Sequence, residues 1–379
     1  MKDIKEITVF SEGDSLDLSC WSNVPYLFTK SLEKRGIKVN RVNIYSNKYI
    51  RKTIWHYLCK PVFDFFYKKN EVTFDQTALN RWFVQRRIRR AIRKYKNSDL
   101  NLYLSYAYLV DCCIPNILFS DWTTEYVLRE RLHRLPHKIE KKYLDIQRWN
   151  MEHADCVFGL FPDISKVMEQ LYKRKIYYLN QNVINNVYDG DLKEDEILAR
   201  KRNSQILLFI GGKKYLEGAR SLVNVFSSLK KRYPLLELHI IGLSDSDFRK
   251  LPSSVVCHGF LNKSIDQECD LYYSLLLQAK LLVNPTPLWG GYSSTIEAMY
   301  FYTPIVVSNY PSFVSEFGED IDFGYYVRNQ NPDTLYESIN RILDNQEYNL
   351  MAQKAHEVVK SYTWDNYVDH FLQIVKQQI

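Results

Sequence analysis

The segment PLWGGYSSTIEAM, Pro287 to Met299, gathers two glycines, a run of hydroxyls and a single carboxylate. Gly290 and Gly291 leave room for a ligand against the backbone. Tyr292, Ser293, Ser294 and Thr295 follow where the pattern predicts a helix start, and Glu297 lies one turn in. Backbone amides and the positive end of a helix dipole suit a phosphate or a sugar at such a place. Trp289, just before the glycines, suits stacking on an apolar sugar face or covering the loop. A second group, Gly211–Gly212–Lys213–Lys214, joins a small-residue turn to two cations.

Other candidates are sparser. Ser120–Asp121–Trp122 closes an apolar run, and Asp121 fits either a base or sugar-binding carboxylate, or a helix cap. Asp189–Gly190–Asp191 has metal-binding spacing but sits in a polar linker where solvated acids are ordinary. His133 and His137 are four apart, yet Pro136 between them disturbs the helix a paired ligand site needs. No metal site is expected. HExxH, GxSxG and Walker patterns are absent, so peptidase, hydrolase and kinase chemistry lack their central residues. The seven cysteines form no CxxC pair, which suits a reduced compartment, and Cys112–Cys113 reads as two small buried residues.

The elements that must position these groups follow α/β grammar. EITVF, LNLYLSYA, PNILFSD, DCVFGLF and KIYYLNQNV read as strands of a first half, with a helix-rich stretch from Glu125 to His153. YDGDLKEDE reads as a linker. SQILLFIGG, LELHIIGL, SVVCHGFL, KLLVNPT and PIVVS supply strands of a second half, with helices between them. Continuous apolar strands alternating with amphipathic helices predict doubly wound parallel sheets. The expectation is two Rossmann-like lobes facing a cleft, residues 1–188 completed by a C-terminal helix over 364–379, and residues 189–363. Ligands in such sheets bind beyond the strand C-termini.

With 379 residues, 46% of them hydrophobic, the chain has material for two cores. No apolar run nears the ~20 residues that span a bilayer, and the opening MKDIKEITVFSEGD lacks signal-peptide character. A cytoplasmic protein is expected, at most peripheral at the inner face of the cytoplasmic membrane. The net charge of +7 is modest, but it is unevenly spread. From Arg81 to Lys96 there is no acid, and Arg86, Arg87, Arg89, Arg90, Arg93, Lys94 and Lys96 surround a stripe of Val84, Ile88, Ala91, Ile92 and Tyr95. The stripe reads as packing on a sheet, and the basic face suits anionic lipid or an anionic acceptor. No nucleic-acid motif accompanies it.

The ordered set FIGGKKYLEG, IIGL, HGFL, NPTPLWGG, EAM, PIVVS and SYTWDNYVDHFLQIV resembles the retaining GT-B glycosyltransferases, specifically the nucleotide-sugar-dependent family 4. The resemblance spans most of the second half and the C-terminus, with looser support from IPNILFSDWT in the first half. It implies a UDP- or GDP-sugar held as substrate mainly by the second lobe, with no cofactor and no metal. Gly211, Gly212, Lys213, Lys214 and the segment Trp289 to Thr295 would contact the donor. Glu297, at the second Glu of the family's E-x7-E signature, would accept hydrogen bonds from the ribose hydroxyls. Asp121, Lys213 and Glu297 are the catalytic candidates. A glycan or lipid-linked glycan acceptor would meet Trp21, Ser22, Asn23, Tyr106 and Asp121. The chain departs from the pattern at Trp289 (the first signature Glu), at Gly212 (the family's Arg) and at Glu217 (its Lys). Lys213 and Lys214 are the neighbouring cations expected to stand in. Two alternatives remain open: a non-catalytic nucleotide- or glycan-binding subunit, and a sugar-nucleotide epimerase.

Overall fold

A computed structural model describes residues 3–45, 48–61, 74–287, 291–328 and 331–379. The chain divides into two compact units, Met1–Gln181 with Tyr367–Ile379, and Asn182–Asn366.

The first unit carries β1 (Glu6–Ser11), β2 (Lys38–Asn43), β3 (Leu100–Tyr103), β4 (Asn116–Ser120) and β5 (Cys156–Gly159). All pair in parallel, in the order β2-β1-β3-β4-β5. β3 and β5 are buried throughout, as strands covered on both faces must be. Helix α1 (Val24–Lys34) starts with Pro25 in its first turn and buries Phe28 and Leu32. Phe28 meets Phe119 edge-on at 5.1 Å and Phe371 at 5.2 Å. A buried phenylalanine contributes about 1.5–3 kcal/mol, so this aromatic contact helps fix the C-terminal segment to the first sheet.

Helix α2 (Ala78–Lys94) is capped by Thr77, whose side chain accepts from the amide of Asn80. Val84, Ile88 and Ala91 are buried, so the apolar stripe packs inward, while Ile92 and Tyr95 are only half-buried. Arg86, Arg89, Arg90, Arg93, Lys94 and Lys96 are exposed. Arg87 is not part of that face, because it donates to the carbonyl of Tyr45.

The second unit carries β6 (Ile206–Ile210), β7 (Glu237–Ile241), β8 (Val255–Gly259), β9 (Leu281–Asn284), β10 (Ile305–Ser308) and β11 (Gly324–Val327). They form one parallel sheet in the order β11-β10-β9-β6-β7-β8. Helix α3 (Leu216–Arg232) buries Leu222, Phe226 and Leu229 in the core of this unit. Helix α4 is Asp266–Gln278, α5 is Ser293–Tyr300, and α6 is Trp364–Gln378.

Four sequence expectations are corrected. KIYYLNQNV forms no strand; Tyr177 makes one isolated parallel bridge to Phe158. The end of YDGDLKEDE enters a helix, Glu194–Asn203, with acids in its first turn and bases in its last, as the helix dipole favours. GYYV, passed over in the sequence, is β11. Cys113 is exposed and Cys112 half-buried, so the pair is not a core element.

Candidate functional site

Both sheets reverse their strand order at one point. In the second unit the chain runs outward from β6 through β7 to β8, then returns to the other side of β6 as β9. The crevice beyond the C-terminal ends of β6 and β9 is therefore the switch point, where open parallel sheets bind ligands. The two segments singled out from the sequence follow those two strands.

After β6, Gly211 and Gly212 lead into a short 3-10 turn, Lys213–Tyr215. The Tyr215 hydroxyl donates to the carbonyl of Gly291 (3.0 Å), which ties this turn to the loop after β9. Close approach explains a third glycine, in the helix that follows. A β-carbon on Gly218 would lie 2.8 Å from the amide nitrogen of Thr286, so only glycine lets α3 sit against the end of β9. Lys213 is exposed, with its Nζ 3.7 Å from Asp247, and Lys214 is also exposed. The cations of GGKKY thus stand on the rim of the switch point.

Trp289 and Gly290 lie outside the described residues. Gly291 leads into α5, whose first turn presents Ser293 and Ser294, both half-buried. Helix-start amides have no partner within their own helix, which suits an anion. Thr295 is buried, and its amide bonds to the carbonyl of Tyr292. Tyr292 requires a correction. Its side chain is fully buried against Phe313 (5.3 Å between centroids), Tyr310 and Phe317, so the side chain anchors the loop from within and is not presented to a ligand.

Glu297 is 3% exposed, and three donors hold its carboxylate. Lys263 Nζ reaches Oε1 at 2.7 Å, the Tyr273 hydroxyl reaches the same oxygen at 3.2 Å, and the Tyr272 hydroxyl reaches Oε2 at 2.8 Å. Burial, then the Glu297 charge, raise both tyrosines far above the usual phenol range, so their hydroxyls stay protonated and donate. Lys263 also donates to the Asn185 carbonyl (3.1 Å) and lies 4.2 Å from the Tyr272 ring centre. None of these three partners was singled out in the sequence. The only signal was a lysine just after HGFL and a tyrosine pair on a predicted helix.

In the first unit the switch point lies between β1 and β3. A cavity of about 280 Å³ opens there, lined by Glu12, Cys20, Trp21, Pro25, Leu104, Ser105, Ser120 and Asp121. Trp21 and Asp121 are thus brought together. Thr123, not Asp121, caps the following helical turn, with its side chain accepting from the Tyr126 amide. Asp121 instead lines the cavity and accepts from Ser120 Oγ at 3.1 Å. Ser22 is exposed and Asn23 buried at the start of α1. Tyr106 is corrected as an acceptor contact. It is 1% exposed, and its hydroxyl lies 2.8 Å from the Ser120 carbonyl and 2.5 Å from that of Phe158, where it braces strand ends.

Residues 191–359 match the family described as glycosyl transferases group 1. No curated protein matches the sequence. Among solved structures, the chain is similar to sucrose-phosphate synthase from Thermosynechococcus elongatus, at 16% identity and a TM-score of 0.64 over 98% of each chain. It is also similar to WaaG, a glycosyltransferase involved in lipopolysaccharide biosynthesis, at 13% identity and a TM-score of 0.64 over 97% of this chain and 99% of that one. Anabaena HepE, solved with UDP and glucose, matches at 14% identity and a TM-score of 0.60 over 99% of each chain. Likeness at such identities carries the fold alone. Most of the second unit therefore matches the group 1 glycosyl transferase family, and the chain as a whole has GT-B architecture.

Proposed function

We propose that the protein is a retaining, metal-independent glycosyltransferase that moves a sugar from a UDP- or GDP-sugar to a hydroxyl of a surface-polysaccharide or lipid-linked glycan. The observation that carries this reading is the meeting of the GGKKY turn and the loop before α5 at the switch point of the second sheet. Cleaving a sugar–phosphate bond puts negative charge on the departing diphosphate. The first turn of α5 and the rim cations Lys213 and Lys214 supply what that charge needs. The exposed Lys213–Asp247 pair is weak, so Lys213 is readily drawn to a phosphate.

Glu297 is proposed to bind the ribose together with Lys263. An ammonium has three protons and a carboxylate oxygen two acceptor positions. Lys263 spends two protons on Asn185 and Glu297, and Glu297 Oε2 accepts only from Tyr272 among the described residues. A vicinal diol can accept from the one and donate to the other once small side-chain shifts open the carboxylate. In the retaining course the acceptor attacks from the face that the leaving phosphate occupies. That phosphate can take the proton, and Asp121 then binds the acceptor sugar rather than serving as an obligatory base.

The same closed network around Glu297 favours a second reading, a non-catalytic subunit in which Glu297 is purely structural. A sugar-nucleotide screen that follows nucleotide release, with and without acceptors, separates the two. Turnover with one donor and an unchanged anomeric configuration is expected. Saturable binding without turnover across a broad acceptor panel would support the subunit, and no binding of any nucleotide sugar would refute both. The exposed basic face of α2, with half-exposed Trp82 beside Arg86, is proposed to meet anionic membrane. Charge reversal at Arg86, Arg89 and Arg93 should then lower binding to anionic liposomes, and unchanged binding would remove that role.

A further inference from the structure

Along β7 the sequence ELHII alternates. Leu238 and Ile240 are fully buried, and Glu237 and His239 take the opposite face. β8 is the outermost strand of the same sheet, and its parallel register sets His239 beside Val256. His258, two residues on from Val256, therefore shares the face of His239. That face is open at this edge. Glu237 is exposed, Val256 is 40% exposed, and Phe260 just past the strand is 72% exposed.

Single histidines on an open sheet face are ordinary, but these two are turned nitrogen to nitrogen. His239 Nδ1 and His258 Nε2 are 2.9 Å apart, with ring centres at 5.1 Å and planes within 12° of each other. The second nitrogen of His239, Nε2, lies 3.4 Å from Glu237 Oε2. A carboxylate only accepts hydrogen bonds, so this contact places the His239 proton on Nε2 and leaves Nδ1 as a bare lone pair. His258 Nε2 then fills the gap with its own proton. His258 Nδ1 makes no hydrogen bond among the described residues, so that proton can pass to it through solvent. The result is two lone pairs facing one point.

Two converging imidazole lone pairs, one backed by a carboxylate, form the ligand arrangement of a transition ion. Nitrogens bound at about 2.0–2.1 Å stand about 2.9 Å apart at a right angle and about 3.3 Å apart at the tetrahedral angle. The observed separation matches the first and reaches the second with a small side-chain shift. No group of three potential ligands gathers among the described residues, so protein ligation here is bidentate and solvent completes the shell. We propose that His239 and His258 bind a divalent transition ion such as nickel or zinc, that Glu237 orients His239 for it, and that the ion clips the edge strand β8 to β7. The site occupies the two outer strands, not the switch point between β6 and β9, so it does not rest on the transferase reading.

Calorimetric titration of the tag-free full chain with nickel chloride at pH 7.5 tests the proposal, with magnesium chloride as the hard-ion control. Nickel should bind, and magnesium, which seeks oxygen ligands, should not. His239→Gln and His258→Gln should each weaken nickel by about tenfold or more, and Glu237→Leu by about tenfold. Imidazole 1H–15N spectra of the unsubstituted chain give a readout that no folding defect can mimic. Substoichiometric zinc should shift His239 Nδ1 and His258 Nε2 and spare the other histidines. The urea midpoint of the second unit should rise with nickel and return on chelation. Absence of nickel binding, affinity untouched by both histidine changes, or zinc shifts confined to other histidines would overturn the proposal and leave the pair a hydrogen bond only. Nickel affinity unchanged by Glu237→Leu would remove the orienting role.

Discussion

The two parallel sheets differ in strand number and order, but each has one switch point, and the two switch points are furnished differently. Beyond β6 and β9 the chain supplies glycines, a helix start, hydroxyls and two rim lysines. Beyond β1 and β3 it supplies Glu12, Asp121, an indole and no lining cation among the described residues. Under the proposed reading the second switch point suits a diphosphate, and the loops at the first are acidic and aromatic instead. The scaffold decides where a ligand sits; the charge and bulk of a few loop residues decide what it is.

The contrast predicts unequal responses to substitution. Lys263→Met should have the largest effect, because it leaves the Glu297 carboxylate buried without its counter-charge. Removing one partner of a buried pair costs about 3–5 kcal/mol. Urea unfolding of the full chain should show the second unit's transition moving to lower denaturant, with the first unit's transition in place. A double change with Glu297→Leu should recover much of the loss, and no recovery would show that the cost has another origin.

Gly218→Ala comes next. The added carbon would press on the Thr286 backbone, and overpacking of this kind costs about 1–3 kcal/mol. Because α3 would shift off the end of β9, nucleotide affinity should fall while sugar binding in the first unit stays constant. Equal loss in both units would erase the distinction between the two switch points.

The smallest effect concerns the sheet edge away from the switch point. His239 Nδ1 and His258 Nε2 lie 2.9 Å apart across β7 and β8, with the rings stacked. Burial, then the neighbouring His239, lower the His258 pKa below 6.5. The unfolded chain therefore binds this proton more readily than the folded one. Stability from this pair is complete above about pH 6.5 and declines as pH falls through the depressed folded value. The urea midpoint of the second unit should drop modestly from pH 7.5 to pH 5.5, and His258→Gln should shrink the drop. Nucleotide affinity should not follow it.

Much of this was legible in the sequence because strands buried on both faces must be continuously apolar, as ILLFI and LLVN are. The GGKKY turn and the start of α5 were legible as element ends, because glycines and hydroxyls after an apolar run mark a turn into a helix. KIYYLNQNV misled because its apolar residues pack without a sheet partner beyond one bridge. The clamp on Glu297 was not legible, since Lys263 is brought to it by packing across 34 residues of chain. Glu12 was hidden differently. It is one of several acids in SEGDSLD, and only the fold of the β1 loop singles it out by placing Ser105 and Tyr45 against it.

Hydrogen–deuterium exchange of the full chain, with and without saturating UDP or GDP, tests the central claim most directly. The account predicts that nucleotide slows exchange in peptides covering 211–215 and 291–298, with little change in those covering 12–23, 104–106 and 120–122. Protection centred on the first unit's loops, with 211–215 and 291–298 unaffected, would contradict it.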